Sequence, residues 1–151
     1  MATVARIGDA ELERKARQEL AAAFRLVAHF GWDDHVATHM AARLPDGSFL
    51  LNPFGLMFEE ITASCLLRMD LDGTVLDNPG GWMLNPAAYG VHSAILGGRA
   101  DANCSIHLHS RDGVALQCED RWVNPAAAPG YLEVDFTTTT PTRWLLEAAP
   151  L

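Results

Sequence analysis

The sequence predicts an α/β domain whose sheet is mainly antiparallel, and three observations carry that expectation. A long N-terminal stretch has apolar residues at helical spacing. Two hairpin signals follow it. A second helical stretch then ends on a glycine pair and gives way to a segment of alternating polarity. Hairpins join neighbouring strands antiparallel, while helices before and after them supply apolar faces to cover a sheet.

The first helix is expected over Asp9–Phe30, where Leu12, Ala16, Leu20, Phe24 and Val27 recur every three or four residues. Asp9 suits its first turn, and Gly31 follows its last. The period then changes. "HVATHMAARLPDGSFLLNP" reads as two strands about a Pro45-Asp46-Gly47 turn. "FEEITASCLLRMDLDGTVL" reads as a short helical turn near Thr62–Cys65 and a second hairpin about Asp72-Gly73. Glu59 and Glu60 are expected to cap or solvate that turn. "DNPGGW" is a loop. A second helix is expected over Pro86–Leu96, ended by Gly97-Gly98. Asn103–His109 follows as a strand, with Cys104, Ile106 and Leu108 toward the apolar side and Ser105, His107 and His109 on the other. Cys104 is therefore expected to be a buried thiol. A helix from Ser110 to about Cys118 and a strand over Tyr131–Thr137 complete the reading.

With 151 residues the chain fits one domain, and 49% apolar residues exclude disorder. No apolar run is long enough for a membrane span, and the N-terminus lacks the apolar core of a secretory signal. Nineteen Asp and Glu against 11 Lys and Arg give a net charge of −8, a poor match for nucleic acid. Cys65, Cys104 and Cys118 are odd in number and form no paired motif, so reduced thiols and a cytoplasmic location are expected.

The chemistry-bearing feature is "ANCSIHLHS". On a strand, His107 and His109 project to one face and can reach one divalent ion, but zinc catalysis typically needs three protein ligands and an open position. No histidine follows His109. Asp112, Cys118, Glu119, Glu133 and Asp135 are possible oxygen or sulfur ligands, and no spacing singles one out. His35 and His39 would come together at i and i+4 if their segment were helical; on a strand they share a face but lie about 13 Å apart, and pocket-lining or structural roles are expected over a second metal site. His92, on its helix, reads as packed or hydrogen-bonded. Arg43 and Arg99 are expected to form ion pairs, Arg99 with Asp101.

"DGSFLLNPFGLMFEEITASCLLRMDLDGTVL" followed by "LNPAAYGVHSAILGGRADANCSIHLHS" resembles the class II aldolase/adducin family, in its adducin-like, bacterial-type branch. The resemblance covers roughly residues 12–118. It implies a three-layer domain over 9–118, with 119–151 a divergent tail, so that the chain reads as the domain cut short. It also implies that His107 and His109 are two of three ligands to Zn²⁺ or a similar ion, the third lying further along. Ala88 falls where the aldolases carry an acidic proton-transfer residue, and Tyr89 points elsewhere on the helix. The aldolases' phosphate-binding positions match Thr38-His39, Phe54-Gly55 and Pro86-Ala87, where several donors are lost. A non-phosphorylated small substrate is therefore expected, with His39, Gly55 and His92 lining the pocket. The resemblance implies a zinc-dependent, aldehyde-lyase-like enzyme working as a homo-oligomer whose partner subunit could complete the site. The alternatives are an adducin-like domain acting through protein contacts, and an inactive, truncated family member.

Overall fold

The long apolar stripe forms helix α1, Ile7–Phe30, in the computed structural model, which describes residues 7–113. Leu20, Phe24 and Val27 are its buried residues of that stripe. The helix stops where glycine allows it: Gly31 takes φ 67°, its N–H donates to Ala28 O (3.0 Å), and Trp32 N–H donates to Val27 O (3.1 Å). A 3-10 turn over His35–Ala37 comes next, entered through a left-handed His35 (φ 47°). The strand expected from His35 onward therefore begins only at His39. His35 sits exposed on the turn and shares no strand face with His39.

Strand β1 (His39–Arg43) pairs antiparallel with β2 (Phe49–Leu51) around the Pro45-Asp46-Gly47 turn. Asp46 Oδ1 accepts from Ser48 N–H at 3.1 Å, and Gly47 takes φ 89°. A 3-10 turn at Phe58–Glu60 precedes the turn at Thr62–Cys65, where Cys65 N–H donates to Thr62 O; Glu60 accepts from Met57 N–H at 2.8 Å. Strands β3 (Leu67–Met69) and β4 (Val75–Asp77) form the second hairpin. Helix α2 spans Pro86–Gly98, capped by Asn85, whose side chain accepts from Ala87 and Ala88 N–H. It runs through Gly97 and Gly98, which were expected to end it. Arg43 sits at that end. Its guanidinium donates to the carbonyls of Leu96, Arg99 (2.9 Å) and Ala102 (2.8 Å), so it binds helix-end carbonyls rather than the expected carboxylate. Arg99 pairs with Asp101 as expected (2.6 Å).

Strand β5 (Cys104–His107) adds antiparallel to the free edge of β1, giving the order β4-β3-β2-β1-β5. Alternation along the central strands separates two cores. Met40 and Leu50 join α1, Phe58, Ile61 and Leu66 on one face; Ala41, Phe49, Leu51, Leu67 and Met69 join Ala88 and Leu96 of α2 on the other. The result is helix, sheet and helix in three layers. Across β1 and β5, Ala41 faces Ser105 and His39 faces His107, so the polar side of β5 lies on the α2 face. This reverses the expected burial of β5: Ser105 is buried, while Cys104 and Ile106 are exposed. Only Leu108, beyond the strand, packs against the α1-side core.

Arg17 of α1 ties that helix to the sheet through Glu13, Asp77 and the Leu66 carbonyl, and Glu13 also accepts from Arg68. No helix among the described residues is long and apolar enough to cross a membrane. The expected helix reaching Cys118, the strand at Tyr131–Thr137 and the 119–151 tail lie outside the described residues, as do Cys118, Glu119, Glu133 and Asp135.

Candidate functional site

His107 closes β5 and His109 lies two residues on, so strand alternation carries both imidazoles to the same side of the chain. Their Nε2 atoms stand 3.1 Å apart. Pairing of β1 with β5 adds His39, directly opposite His107, with ring centroids 4.7 Å apart and planes within 19°. Helix α2 then delivers His92 from above the sheet, its Nε2 2.8 Å from His39 Nδ1. Four of the six histidines thus gather at one end of the β1–β5 pair; His29 and His35 are exposed and outside this group.

The chain continues to a carboxylate. His109 Nδ1 lies 2.9 Å from Asp34 Oδ2, and His109 N–H donates to Trp32 O at 3.3 Å. Asp34 is set in turn by its own N–H, which donates to the buried Thr38 hydroxyl at 3.1 Å. Sequence reasoning passed over Asp34, because a cross-chain contact of this kind leaves no local spacing to read.

Electrostatics keep the inner imidazoles neutral. Burial, then the nearby His107 and His109, push His39 down to about 4. Burial, then His39, push His92 down to about 3. His107 is lowered by burial and by His109. At the outer end, the hydrogen bond from His109 holds the Asp34 carboxyl below its ordinary value. Neutral imidazole is the form that coordinates metal. His92 is wholly buried, and its Nδ1 has no hydrogen-bond partner among the described residues.

Whether this set suits a divalent ion can be tested on distances. Two nitrogens on one tetrahedral zinc, each at about 2.0–2.1 Å, stand about 3.3 Å apart, close to the 3.1 Å between His107 and His109 Nε2. His39 does not extend the pair. Ring nitrogen lone pairs lie in the ring plane, so two stacked imidazoles cannot aim at one point between them. Accordingly, no three His, Cys, Asp or Glu side chains among the described residues are arranged to hold an ion.

The remaining sequence candidates are placed as follows. Gly55 lies exposed in the turn after β2 with φ 92°, and no contact links it to the histidines. Ala88 is fully buried in the α2-side core. Tyr89 uses its hydroxyl on Leu71 O at 2.8 Å. Of the positions matched to phosphate donors, two N–H groups are engaged internally, Phe54 N–H by Met83 O and Ala87 N–H by Asn85, while Thr38 Oγ1 accepts from Asp34 N–H.

Known proteins resemble this chain in sequence and fold. The family described as "Class II Aldolase and Adducin N-terminal domain" matches residues 18–147, past residue 118, where the resemblance read from the residues stopped. The chain is 46% identical over 117 residues to a Caulobacter vibrioides protein whose name carries the words aldolase class 2, covering 76% of this chain and 45% of that one. It is 37% identical over 107 residues to alpha-adducin of Rattus norvegicus, covering 69% of this chain and 15% of that one. The L-fuculose 1-phosphate aldolase from Glaciozyma antarctica has a similar structure, with a TM-score of 0.67 and 35% identity over 78% of this chain and 48% of that one. The chain spans less than half the length of each of these relatives. On fold, on the ordered motifs from NPFG to HxH and on this match, the chain belongs to the class II aldolase and adducin N-terminal domain family.

Proposed function

We propose that the chain is a metal-binding class II aldolase-type domain, using His107 and His109 to hold Zn²⁺ or a similar divalent ion. The observation that carries this reading is the 3.1 Å separation of the two Nε2 atoms, in a setting that keeps His107 neutral. A bound ion of this kind supplies Lewis-acid polarisation of a substrate carbonyl, the aldehyde-lyase type of chemistry. The chain's own residues contribute ligation by His107 and His109, their orientation, and a buried imidazole wall of His39 and His92. The third ligand comes from outside the described side chains, a second copy of the chain in a homo-oligomer being the favoured source. A small, non-phosphorylated substrate fits best, because the backbone donors Phe54 N–H and Ala87 N–H already have internal acceptors. A cytoplasmic location belongs to the same proposal.

A second reading, an adducin-like interaction domain without catalysis, is favoured by one feature. Ala88, at the position of the family's acidic residue, is sealed in the apolar core, and its neighbour Tyr89 is committed to Leu71. Metal content after purification without chelators tests the first reading, with His107→Ala/His109→Ala as comparison. Stoichiometric metal in the wild type and none in the double variant are expected; no metal in either overturns it. With metal bound, retro-aldol turnover of unphosphorylated hydroxy-ketones supports catalysis. Its absence leaves the interaction domain.

A further inference from the structure

We infer that Asp34 is a positioning residue that fixes the tautomer of His109, holding the proton on Nδ1 so that Nε2 presents a bare lone pair toward His107. A neutral imidazole carries one proton, and the nitrogen that keeps it is the one whose hydrogen-bond partner only accepts. Asp34 Oδ2 is such a partner, 2.9 Å from His109 Nδ1. A carboxylate at neutral pH has no proton to give. In the metal-free chain His109 Nε2 is then the acceptor of its 3.1 Å contact and His107 Nε2–H the donor, a proton that His107 gives up from Nε2 when it ligates an ion. One directional chain results, running His107 to His109 to Asp34.

The arrangement is braced on both sides. The backbone of His109 is held to the same loop by its N–H on Trp32 O, which keeps its Cα beside the segment that carries Asp34. Asp34 is anchored by its N–H on the buried Thr38 hydroxyl, one residue before His39. The loop that carries the carboxylate is therefore tied to the strand that carries the inner histidines. His35 Nδ1 lies 3.6 Å from the other carboxylate oxygen, Oδ1, and is largely exposed. It leaves Oδ2 to His109.

This inference rests on the metal reading for its purpose, since ligation through Nε2 requires that lone pair, but not for its test. Long-range ¹H–¹⁵N correlation on the metal-free, histidine-labelled full chain reads the tautomer directly. The wild type is expected to show His109 protonated at Nδ1. Asp34→Ala should shift His109 toward the Nε2–H form, and Asp34→Asn should keep much of the wild-type state because its amide oxygen still accepts. Asp34 is exposed, so both variants should fold, which circular dichroism checks. Zinc alone, titrated against a chelating dye, should bind about 10–100-fold more weakly to Asp34→Ala, with partial recovery in Asp34→Asn. An Nε2–H tautomer in the wild type, or an unchanged tautomer in Asp34→Ala, overturns the inference. If the wild type binds no zinc while the tautomer still follows Asp34, the metal reading falls and the positioning role stands.

Discussion

His39 lies face to face with His107 across the β1–β5 pair, 4.7 Å between centroids, while its Nδ1 meets His92 Nε2 at 2.8 Å. Strand register and helix packing thus put three imidazoles in succession where the sequence displays only a two-residue motif. Such a stack is tolerated because the rings are neutral; protonating adjacent rings would place like charges within a few ångströms.

The first prediction follows from that neutrality. His39 and His92 titrate near 6.5 in the unfolded chain, but at about 4 and about 3 when folded. Between these values the unfolded state binds more protons, so stability rises with pH. The contribution is fully present above 6.5 and is lost as pH falls toward 4 and then 3. From pH 7 to pH 5, each of the two should remove roughly 2 kcal/mol of folding stability. Urea unfolding of chelator-treated protein measures it, and His92→Gln should shrink the loss by about half. A flat profile from 7 to 5 would show that these rings are not buried neutral.

Metal and stability are linked through the outer pair. If His107 and His109 hold an ion only in the folded chain, zinc at about a hundred times its dissociation constant should add ~2.7 kcal/mol. For a domain of this size, that is a rise in Tm of about 5–10 °C. Both the rise and its reversal by chelator should vanish in His107→Ala. An equal rise in that variant would place zinc elsewhere.

What the sequence makes legible here is local. Gly31, Gly47 and Gly73 mark the helix end and the two hairpin turns because each takes a positive φ that other residues resist. Pro86 marks the first turn of α2 through its fixed negative φ. The buried face of β5 is not local. Alternation gives two faces, and apolar Cys104 and Ile106 suggest the wrong one, because α2 covers the side bearing Ser105 and His107. The site follows the same division. HxH is visible as a motif, whereas His39 joins it through register, His92 through helix packing and Asp34 through a loop 75 residues away in sequence.

Arg43 offers a test of how the end of α2 is held. Its guanidinium serves three carbonyls, of Leu96, Arg99 and Ala102, at the point where the chain leaves α2 for β5. Arg43→Ala leaves these acceptors without it, and a cost of ~2–3 kcal/mol is expected. Lysine should recover little, since an ammonium cannot span the fork. Hydrogen exchange should speed up at the last turn of α2 and along β5 while α1 stays protected. Uniform acceleration would mean that Arg43 stabilises the whole domain rather than this junction.

Gly73 joins the β3–β4 turn to α2. It takes φ 92°, and a Cβ there would lie 3.2 Å from the Tyr89 hydroxyl, which donates to Leu71 O at 2.8 Å. Gly73→Ala therefore combines a left-handed conformation, ~1 kcal/mol or more for a side chain, with displacement of a hydrogen-bonded hydroxyl worth ~1 kcal/mol. A total loss of ~2–3 kcal/mol in urea unfolding is expected. Tyr89→Phe removes the crowded oxygen and its bond in advance. In that background Gly73→Ala should cost the backbone part and the remaining approach to ring carbon Cζ at 3.3 Å, leaving a coupling of ~1 kcal/mol for the lost hydroxyl in the double-mutant cycle. Strict additivity would show that the turn and α2 do not communicate through Tyr89.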